Sequence, residues 1–167
     1  MKFLVVVDMQ NDFVNGSLAN PAAQAIVPFI KEKIAEYRQK GFRIVYTKDT
    51  HYDNYMETGE GKHLPVPHCI EGTFGWMIVP ELRPTPEDMV ICKEHFGYNK
   101  WNEIIGIGDE VVMCGTCTDI CVVSNALAIK AIEGTEVKIL KDGCAGLTPE
   151  KHEHALDVMA SCQCEVE

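Results

Sequence analysis

The residue with the clearest potential for covalent chemistry, Cys121, lies where a predicted strand is followed by a predicted helix. Residues 110–114 form an apolar run of strand length, and apolar residues recur at helical spacing over residues 122–132. Cys121 falls near the first turn of that helix, with Thr118 or Asp119 available as its N-terminal cap. Unpaired N–H groups and the helix dipole favour negative charge at that place. The pattern therefore predicts a stabilised thiolate and a candidate nucleophile.

Two charged residues, Asp8 and Lys93, could activate this cysteine. Each directly follows a predicted strand, at residues 3–7 and 88–92 respectively. A thiol with an ordinary pKa of about 8.5 is mostly protonated at neutral pH and needs a base or a cation nearby. A carboxylate can accept the proton, and a lysine can hold the resulting charges together. Each residue alone is more often a turn residue or a solvated cation, but their shared position at strand ends favours a joint catalytic role.

A second group of residues has the composition of a metal site. Carboxylate and imidazole side chains follow the predicted strand at residues 42–47 and continue into the polar segment 50–80, which is long for a connection in a compact domain. The group comprises Asp49, His51, Glu57, Glu60, His63 and His68. Mixed ligands of this kind suit zinc, iron or manganese. The alternative interpretation is a solvated loop with scattered histidines.

A rival metal or redox site could be formed by cysteines. Cys114, Cys117 and Cys121 include a CxxC spacing, which can bind zinc or act as a redox pair. However, Cys114 should end a buried strand, and only Cys162 with Cys164 could complete a four-ligand set. The carboxylate and histidine group is therefore the preferred candidate.

Strand and helix patterns alternate along the chain and predict an α/β fold. Apolar runs predict strands at residues 3–7, 42–47, 88–92, 110–114 and 135–140, and a short strand closes the chain. Helices are predicted to begin at Pro21, near Cys121 and at Pro149. We therefore expect one domain over residues 1–167, with three α/β/α layers around a mostly parallel, Rossmann-like sheet. In such sheets ligands bind beyond the carboxyl ends of the strands, where both candidate groups fall.

Composition narrows the possible partners and location. The chain has 167 residues and a formal net charge of −10, which argues against nucleic acid or an anionic membrane as a partner. The N-terminal apolar run is too short for a signal peptide and ends at Asp8. No stretch approaches the roughly 20 apolar residues that a spanning helix needs. A cytoplasmic location with reduced thiols is expected, despite the eight cysteines.

Several sequence blocks follow one another in a specific order that covers nearly the whole chain. They are Val6-Val7-Asp8-Met9-Gln10-Asn11-Asp12-Phe13, Thr47-Lys48-Asp49-Thr50-His51, Pro67-His68-Cys69 with Gly72-Thr73, Lys93, and Gly115-Thr116-Cys117-Thr118-Asp119-Ile120-Cys121-Val122. On these blocks the chain resembles the isochorismatase-like cysteine hydrolases, and within them the nicotinamidase/pyrazinamidase branch.

The resemblance implies a catalytic set of Asp8, Lys93 and Cys121. It also implies a cis peptide bond between Thr116 and Cys117, in the turn before the nucleophile. The backbone N–H groups of Cys117 and Cys121 would then bind the oxyanion of the reacting amide.

The same resemblance assigns Asp49, His51 and His68 to a divalent metal, with zinc expected and iron or manganese as alternatives. Glu60 is the preferred fourth ligand, and Glu57 is the alternative. In relatives the metal holds the pyridine nitrogen of the substrate.

The resemblance also indicates which side chains form the substrate pocket. Phe13 should form one wall, together with Phe96 or Tyr98. Pro65 stands where relatives often carry an aromatic residue, and this departure leaves the substrate open.

The function implied is a metal-assisted cysteine amidohydrolase that converts nicotinamide to nicotinate and ammonia through a thioester on Cys121. One alternative is a related hydrolase acting on another small amide or on a vinyl ether. A further alternative is a non-catalytic member that binds a small molecule. Since relatives often assemble, a homo-oligomer is expected by resemblance alone.

Overall fold

The fold is organised around one central sheet of six parallel strands. A computed structural model of the chain describes residues 1–167. The strands are β1 (Lys2–Val7), β2 (Arg43–Asp49), β3 (Met89–Lys93), β4 (Glu110–Thr116), β5 (Glu136–Ala145) and β6 (Glu165–Val166). Their order across the sheet is β3-β2-β1-β4-β5-β6, and every pairing is parallel. The predicted α/β fold is therefore confirmed, with a sheet that is parallel throughout.

Helices cover both faces of the sheet and complete the three layers. They are α1 (Asn11–Val14), α2 (Pro21–Gln39), α3 (Gly59–His63), α4 (Val123–Lys130) and α5 (Pro149–Ser161). One buried apolar cluster joins the sheet to α2, and another joins its opposite face to α4 and α5. Proline opens both long helices, and Asn20 and Thr148 cap them by accepting hydrogen bonds from backbone N–H groups. No helix combines the length and apolar character that crossing a membrane requires.

Two elements differ from the sequence-based expectation. Strand β2 extends through Asp49, because residues 45–49 pair in parallel with β3. Strand β5 continues to Ala145, since a register shift lets it pair again with the end of β4. Asp142 and Gly143, which follow the strand predicted at residues 135–140, therefore lie within β5. Both extensions carry backbone toward the carboxyl edge of the sheet.

The carboxyl edge of the sheet brings the candidate residues together. Asp8 follows β1, Asp49 and Lys93 end two neighbouring strands, and Cys117 follows β4. Strands β1 and β4 approach closely at Gly115, where an added Cβ atom would lie 2.2 Å from the carbonyl oxygen of Val7. Only glycine fits this approach, since the residue also has a φ of 126°.

Candidate active site

Three buried residues from three strand ends form a compact charged group. The Nζ atom of Lys93 lies 2.6 Å from Oδ2 of Asp8 and 3.6 Å from Sγ of Cys121. Their exposed fractions are 0% for Asp8, 3% for Lys93 and 5% for Cys121. The structure therefore brings together the three residues that the resemblance assigns to catalysis.

The surrounding strands hold Asp8 in a fixed orientation. The Thr47 hydroxyl donates a 2.6 Å hydrogen bond to Oδ1 of Asp8, and the Asp8 backbone N–H donates back to the same hydroxyl oxygen. Complete burial raises the pKa of Asp8, although Lys93 acts in the opposite direction. A carboxylate with a raised pKa is a stronger proton acceptor, which suits a general base.

The ammonium group of Lys93 stays charged despite its burial. Burial acts to lower the pKa of Lys93, but the neighbouring carboxylates and thiol raise it above its ordinary value. Nζ also donates a hydrogen bond to the carbonyl oxygen of His95 at 3.1 Å. Lys93 therefore supplies a permanent positive charge between the sulfur and the acid.

Cys121 differs from the sequence-based expectation in its local structure and its charge. It lies in a π-helical turn, Thr118–Val122, rather than in the first turn of an α-helix. Burial and the nearby Asp8 carboxylate raise the pKa of the Cys121 thiol well above its ordinary value, against the effect of Lys93. This direction contradicts the expected stabilised thiolate, because desolvation outweighs the nearby cation.

The two expected cap residues of this turn make other contacts. The Thr118 hydroxyl lies 2.8 Å from Nδ1 of His152, and Asp119 accepts a hydrogen bond from the Leu147 N–H. Both contacts connect the turn Thr118–Val122, which carries Cys121, to the start of α5 and the residues before it. His152, which was not predicted near the site, therefore supports this turn from outside.

The backbone before the nucleophile has an unusual geometry. The peptide bond between Thr116 and Cys117 is cis. The Thr116 hydroxyl donates to the carbonyl oxygen of Ala145, whereas the Cys117 N–H makes no hydrogen bond within the chain. Cys117 and Cys121 line the same cavity.

The predicted metal ligands also lie close together, at the carboxyl edge of the sheet. The Nε2 atom of His51 is 2.9 Å from Oδ2 of Asp49, and that of His68 is 3.4 Å from the same oxygen. Oε1 of Glu60 lies 3.5 Å and 3.6 Å from the two imidazole nitrogens. One ligand atom from each of these four residues lies within 4.8 Å of the others.

The alternative ligands remain outside this group. Glu57 ends a short 3₁₀ turn and does not join the cluster, while His63 binds the Gly59 carbonyl oxygen. The cysteines Cys114, Cys117 and Cys121 do not form a metal-ligand cluster with other side chains. The structure thus favours Glu60 over Glu57 and the mixed set over the cysteine set.

The chemistry of the four side chains fits a divalent cation. Nδ1 of His68 lies 2.8 Å from the Val66 carbonyl oxygen, so this nitrogen carries the proton and Nε2 offers its lone pair to the cluster. Burial and the Asp49 carboxylate raise the pKa of Glu60, which reflects two acidic groups crowded in one place. A bound cation would relieve that repulsion. The mixed oxygen and nitrogen donors are those that zinc, iron and manganese accept.

Gln10 is a site residue that the sequence analysis missed. Its side-chain amide donates to the Asp49 carbonyl oxygen and accepts from the Asp49 N–H, each at 2.8 Å. The same amide donates to the Trp76 carbonyl oxygen at 2.9 Å. Gln10 is fully buried and therefore fixes the end of β2 to β1. Its position two residues after Asp8 was the available signal.

Asp12 has a similar supporting role on the opposite wall. Its Oδ2 atom accepts a 2.8 Å hydrogen bond from the N–H of Cys69, directly after His68. Cys69 has a φ of 48°, so this bond stabilises a backbone conformation that is uncommon outside glycine. Asp12 therefore helps to aim His68.

A cavity of about 200 Å³ opens over the nucleophile and beside the metal candidates. It is lined by Phe13, Leu18, Asn20, Asp49, Glu60, Leu64, His68, Phe96, Cys117, Ile120, Cys121 and Leu147. Two of the three residues expected at the pocket, Phe13 and Phe96, lie on its wall. Tyr98 does not line it, because its ring packs edge-on against Trp101 and the core. Leu64 supplies apolar surface next to Pro65, which itself does not line the cavity.

A wider recess of about 670 Å³ lies outside this cavity. The two share Glu60, Leu64, Phe96 and Ile120 as common walls. No lysine or arginine side chain lines either space. The inner cavity is therefore mostly apolar, whereas polar, acidic and imidazole groups make up most of the lining of the outer recess.

Comparisons with known proteins agree with this geometry. An isochorismatase domain matches residues 2–167. The chain is 30% identical over 186 residues to a nicotinamidase/pyrazinamidase of Mycobacterium tuberculosis, covering 99% of this chain and 98% of the relative. A crystal structure of pyrazinamidase of Pyrococcus horikoshii in complex with zinc is 32% identical, with a TM-score of 0.84 and coverage of 99% and 98%.

A solved structure with a different named activity is also similar. N-carbamoylsarcosine amidase from Thermoplasma acidophilum is 26% identical, with a TM-score of 0.81 over 99% of this chain and 95% of that one. Because the domain match spans residues 2–167 and the fold and site agree with it, the chain belongs to the isochorismatase family.

Proposed function

We propose that this chain is a metal-assisted cysteine amidohydrolase that hydrolyses nicotinamide to nicotinate and ammonia. The observation that carries the proposal is the Lys93 ammonium group, 2.6 Å from Asp8 and 3.6 Å from the sulfur of Cys121, which itself lines a small, mostly apolar cavity. The similarity to nicotinamidases over the length of the chain supports the choice of substrate.

The reaction begins with a neutral thiol. The Cys121 proton passes to Asp8 as the sulfur attacks the amide carbonyl carbon, and a new C–S bond forms. Lys93 keeps the sulfur and the carboxylate in place and balances the charge that develops on them. The Cys117 N–H, which makes no hydrogen bond within the chain, would donate to the oxyanion; removing one such donor typically costs about 100–1,000-fold in rate.

The tetrahedral adduct then breaks its C–N bond. Asp8 returns the proton to the leaving nitrogen, ammonia departs, and the acyl group remains on Cys121 as a thioester. Asp8 next accepts a proton from water as the water oxygen attacks the thioester carbonyl. The C–S bond breaks, the acid is released, and the thiol regains its proton.

Asp49, His51, Glu60 and His68 would hold the metal, for which we infer zinc. When bound, it would supply a Lewis acid able to take a lone pair from a ring nitrogen of the substrate. Phe13 and Phe96 supply the apolar walls between which a flat ring fits. Gln10 and Asp12 hold the backbone that carries the metal ligands.

The absence of cationic side chains around the cavity favours a neutral amide over a carboxylated substrate. A substrate carboxylate would lose its hydration here without meeting a lysine or arginine. This disfavours an N-carbamoyl amino acid or a vinyl ether dicarboxylate. The remaining alternative within the class is a different small neutral amide.

An ammonia-release assay on nicotinamide tests the proposal, run with and without prior chelation. We expect turnover in the metal-loaded wild-type protein and none in Cys121→Ala of unchanged fold. Release of ammonia by Cys121→Ala would exclude the thioester mechanism. Turnover of a carboxylated amide in preference to nicotinamide would exclude the substrate assignment.

A further inference from the structure

Asn125 is a buried polar residue for which the mechanism above has no role. It lies in α4, one helical turn after Cys121, and its exposed fraction is 0%. Its side-chain NH₂ group donates to the carbonyl oxygens of Cys121 at 2.7 Å and Phe96 at 3.0 Å. Its side-chain oxygen accepts from the Tyr98 N–H and from Nε1 of Trp101, each at 2.8 Å. Both donors and both acceptor positions of the amide are therefore used.

The four partners of Asn125 belong to only two structural units. One is the turn that carries the nucleophile, and the other is the segment of residues 94–101 that follows β3. That segment carries Phe96, which forms a wall of the cavity and is 45% exposed. Its backbone is also held by Lys93, which donates to the His95 carbonyl oxygen. The segment has no helix or strand of its own before residue 101, so these bonds define its position.

We infer that Asn125 is a positioning residue that fixes the Cys121 sulfur relative to the Phe96 wall. A single rigid amide sets the distance between the two units, because it bonds to the backbone of both. Without it, the carbonyl of Cys121 and the carbonyl of Phe96 lose a common donor, and each unit can shift independently. The inference rests on the proposed function only for the role of Phe96 toward a substrate.

The required chemistry is specific to an amide at this position. Two carbonyl oxygens face the side chain from one side, and two N–H groups face it from the other. A carboxylate offers at most one proton for the two carbonyls, and an apolar side chain offers nothing to any of the four partners. Gly97 packs against Ser124, the residue before Asn125, since a Cβ atom added to Gly97 would lie at an ordinary contact distance of 3.5 Å from the Ser124 Cβ atom.

The test compares Asn125→Leu and Asn125→Asp with the wild-type protein. The rate of Cys121 alkylation by iodoacetamide, itself a small neutral amide, is followed by peptide mass spectrometry to separate Cys121 from the other cysteines. We expect a fall of about 10–100-fold in Asn125→Leu, since displacement by about 1 Å can cost this much. The alkylation rate of Asn125→Asp should lie between those of the wild type and Asn125→Leu, because aspartate keeps an oxygen that can accept from Tyr98 and Trp101.

Steady-state kinetics on nicotinamide give a second readout. Loss of Asn125 should lower kcat, because the Cys121 sulfur is displaced, and should raise KM, because the Phe96 wall shifts. General destabilisation would instead change only the fraction of folded enzyme. Thr135→Val is the matched control. The Thr135 hydroxyl is buried and has a single proton to share between two carbonyl oxygens, those of Ile129 and Ile132, at the far end of α4. This control should lose stability but keep the wild-type alkylation rate.

Wild-type alkylation of Cys121 in folded Asn125→Leu or Asn125→Asp would overturn the inference. If Asn125→Leu does not fold, Asn125→Asp still decides. Because alkylation does not depend on amide turnover, the inference can be judged even if the wild-type protein proves inactive on nicotinamide.

Discussion

Lys93 Nζ lies 3.6 Å from Oδ1 of Asp49, so the lysine that pairs with Asp8 also faces a ligand of the candidate metal set. Asp49 presents its other oxygen, Oδ2, to His51 and His68. Its Oδ1 atom is buried and makes no hydrogen bond within the chain. The Asp49 carboxylate thus lies between the candidate catalytic residues and the two histidines of the candidate metal set. Lys93 is the only lysine or arginine that pairs with it.

Replacing Lys93 by methionine should remove activity and destabilise the fold. The carboxylates of Asp8 and Asp49 would remain buried without their cation, and breaking a buried ion pair on one side costs about 3–5 kcal/mol. Chemical denaturation and the ammonia assay measure the two effects. Lys2→Met is the control, since the Lys2–Glu110 pair is exposed and should contribute little. Near wild-type turnover in Lys93→Met would contradict the catalytic role.

Replacing Cys121 by alanine should abolish turnover and leave substrate binding measurable. The side chain is small and lies at the cavity surface, so its loss leaves the surrounding backbone bonds intact. Calorimetric binding of nicotinamide to the metal-loaded variant checks this expectation. Cys162→Ala is the matched control, because Cys162 is exposed at the end of α5 and should retain full activity.

The resting Cys121 should be a thiol at neutral pH. Since burial and Asp8 raise its pKa, the thiolate forms only above the ordinary titration range of cysteine, and the protonated form dominates below it. The ultraviolet thiolate absorbance of the wild-type protein minus that of Cys121→Ser should therefore be absent at neutral pH. A difference already present at neutral pH would show that Lys93 outweighs desolvation.

The fold could be predicted well from sequence because its strands are unusually clear. The runs at residues 3–7 and 110–114 are continuous and apolar, as strands buried on both faces require. The end of β5 was missed because its last residues include Asp142 and Gly143, which locally favour a turn. Pairing with β4 overrides that preference, and such pairing is a tertiary effect.

The site was predictable only in part, for a physical reason. Residue type and position at strand ends indicated Asp8, Lys93 and Cys121, since the carboxyl ends of parallel strands meet at one edge. The ionisation of Cys121 depends on burial, which the local sequence does not encode. The resemblance offers Tyr98 as an alternative to Phe96 for the pocket wall, but Asn125 binds the backbone N–H of Tyr98, and the Tyr98 ring packs on Trp101.

Replacing Gln10 by leucine should loosen the end of β2. The change removes three hydrogen bonds of a fully buried amide, two of them to the backbone of Asp49. We expect metal affinity to fall by about 10–100-fold, as for other residues that support metal ligands. Equilibrium dialysis against zinc measures this affinity. Gln24→Leu is the control, because that amide binds only the Val14 carbonyl oxygen.

Replacing Glu60 by glutamine should weaken metal binding more than the same change at Glu57. Oε1 of Glu60 lies within 3.6 Å of both imidazole nitrogens, whereas Glu57 lies outside the cluster. The change removes the negative charge of this ligand and leaves only a neutral amide oxygen as donor, so the metal content after dialysis should drop in Glu60→Gln. Elemental analysis of both variants, prepared side by side, gives the comparison. Equal metal content in the two variants, with Glu60→Gln as loaded as the wild type, would exclude Glu60 as a ligand. A drop confined to Glu57→Gln would instead require that the short turn at Tyr55–Glu57 moves toward the histidines when metal binds.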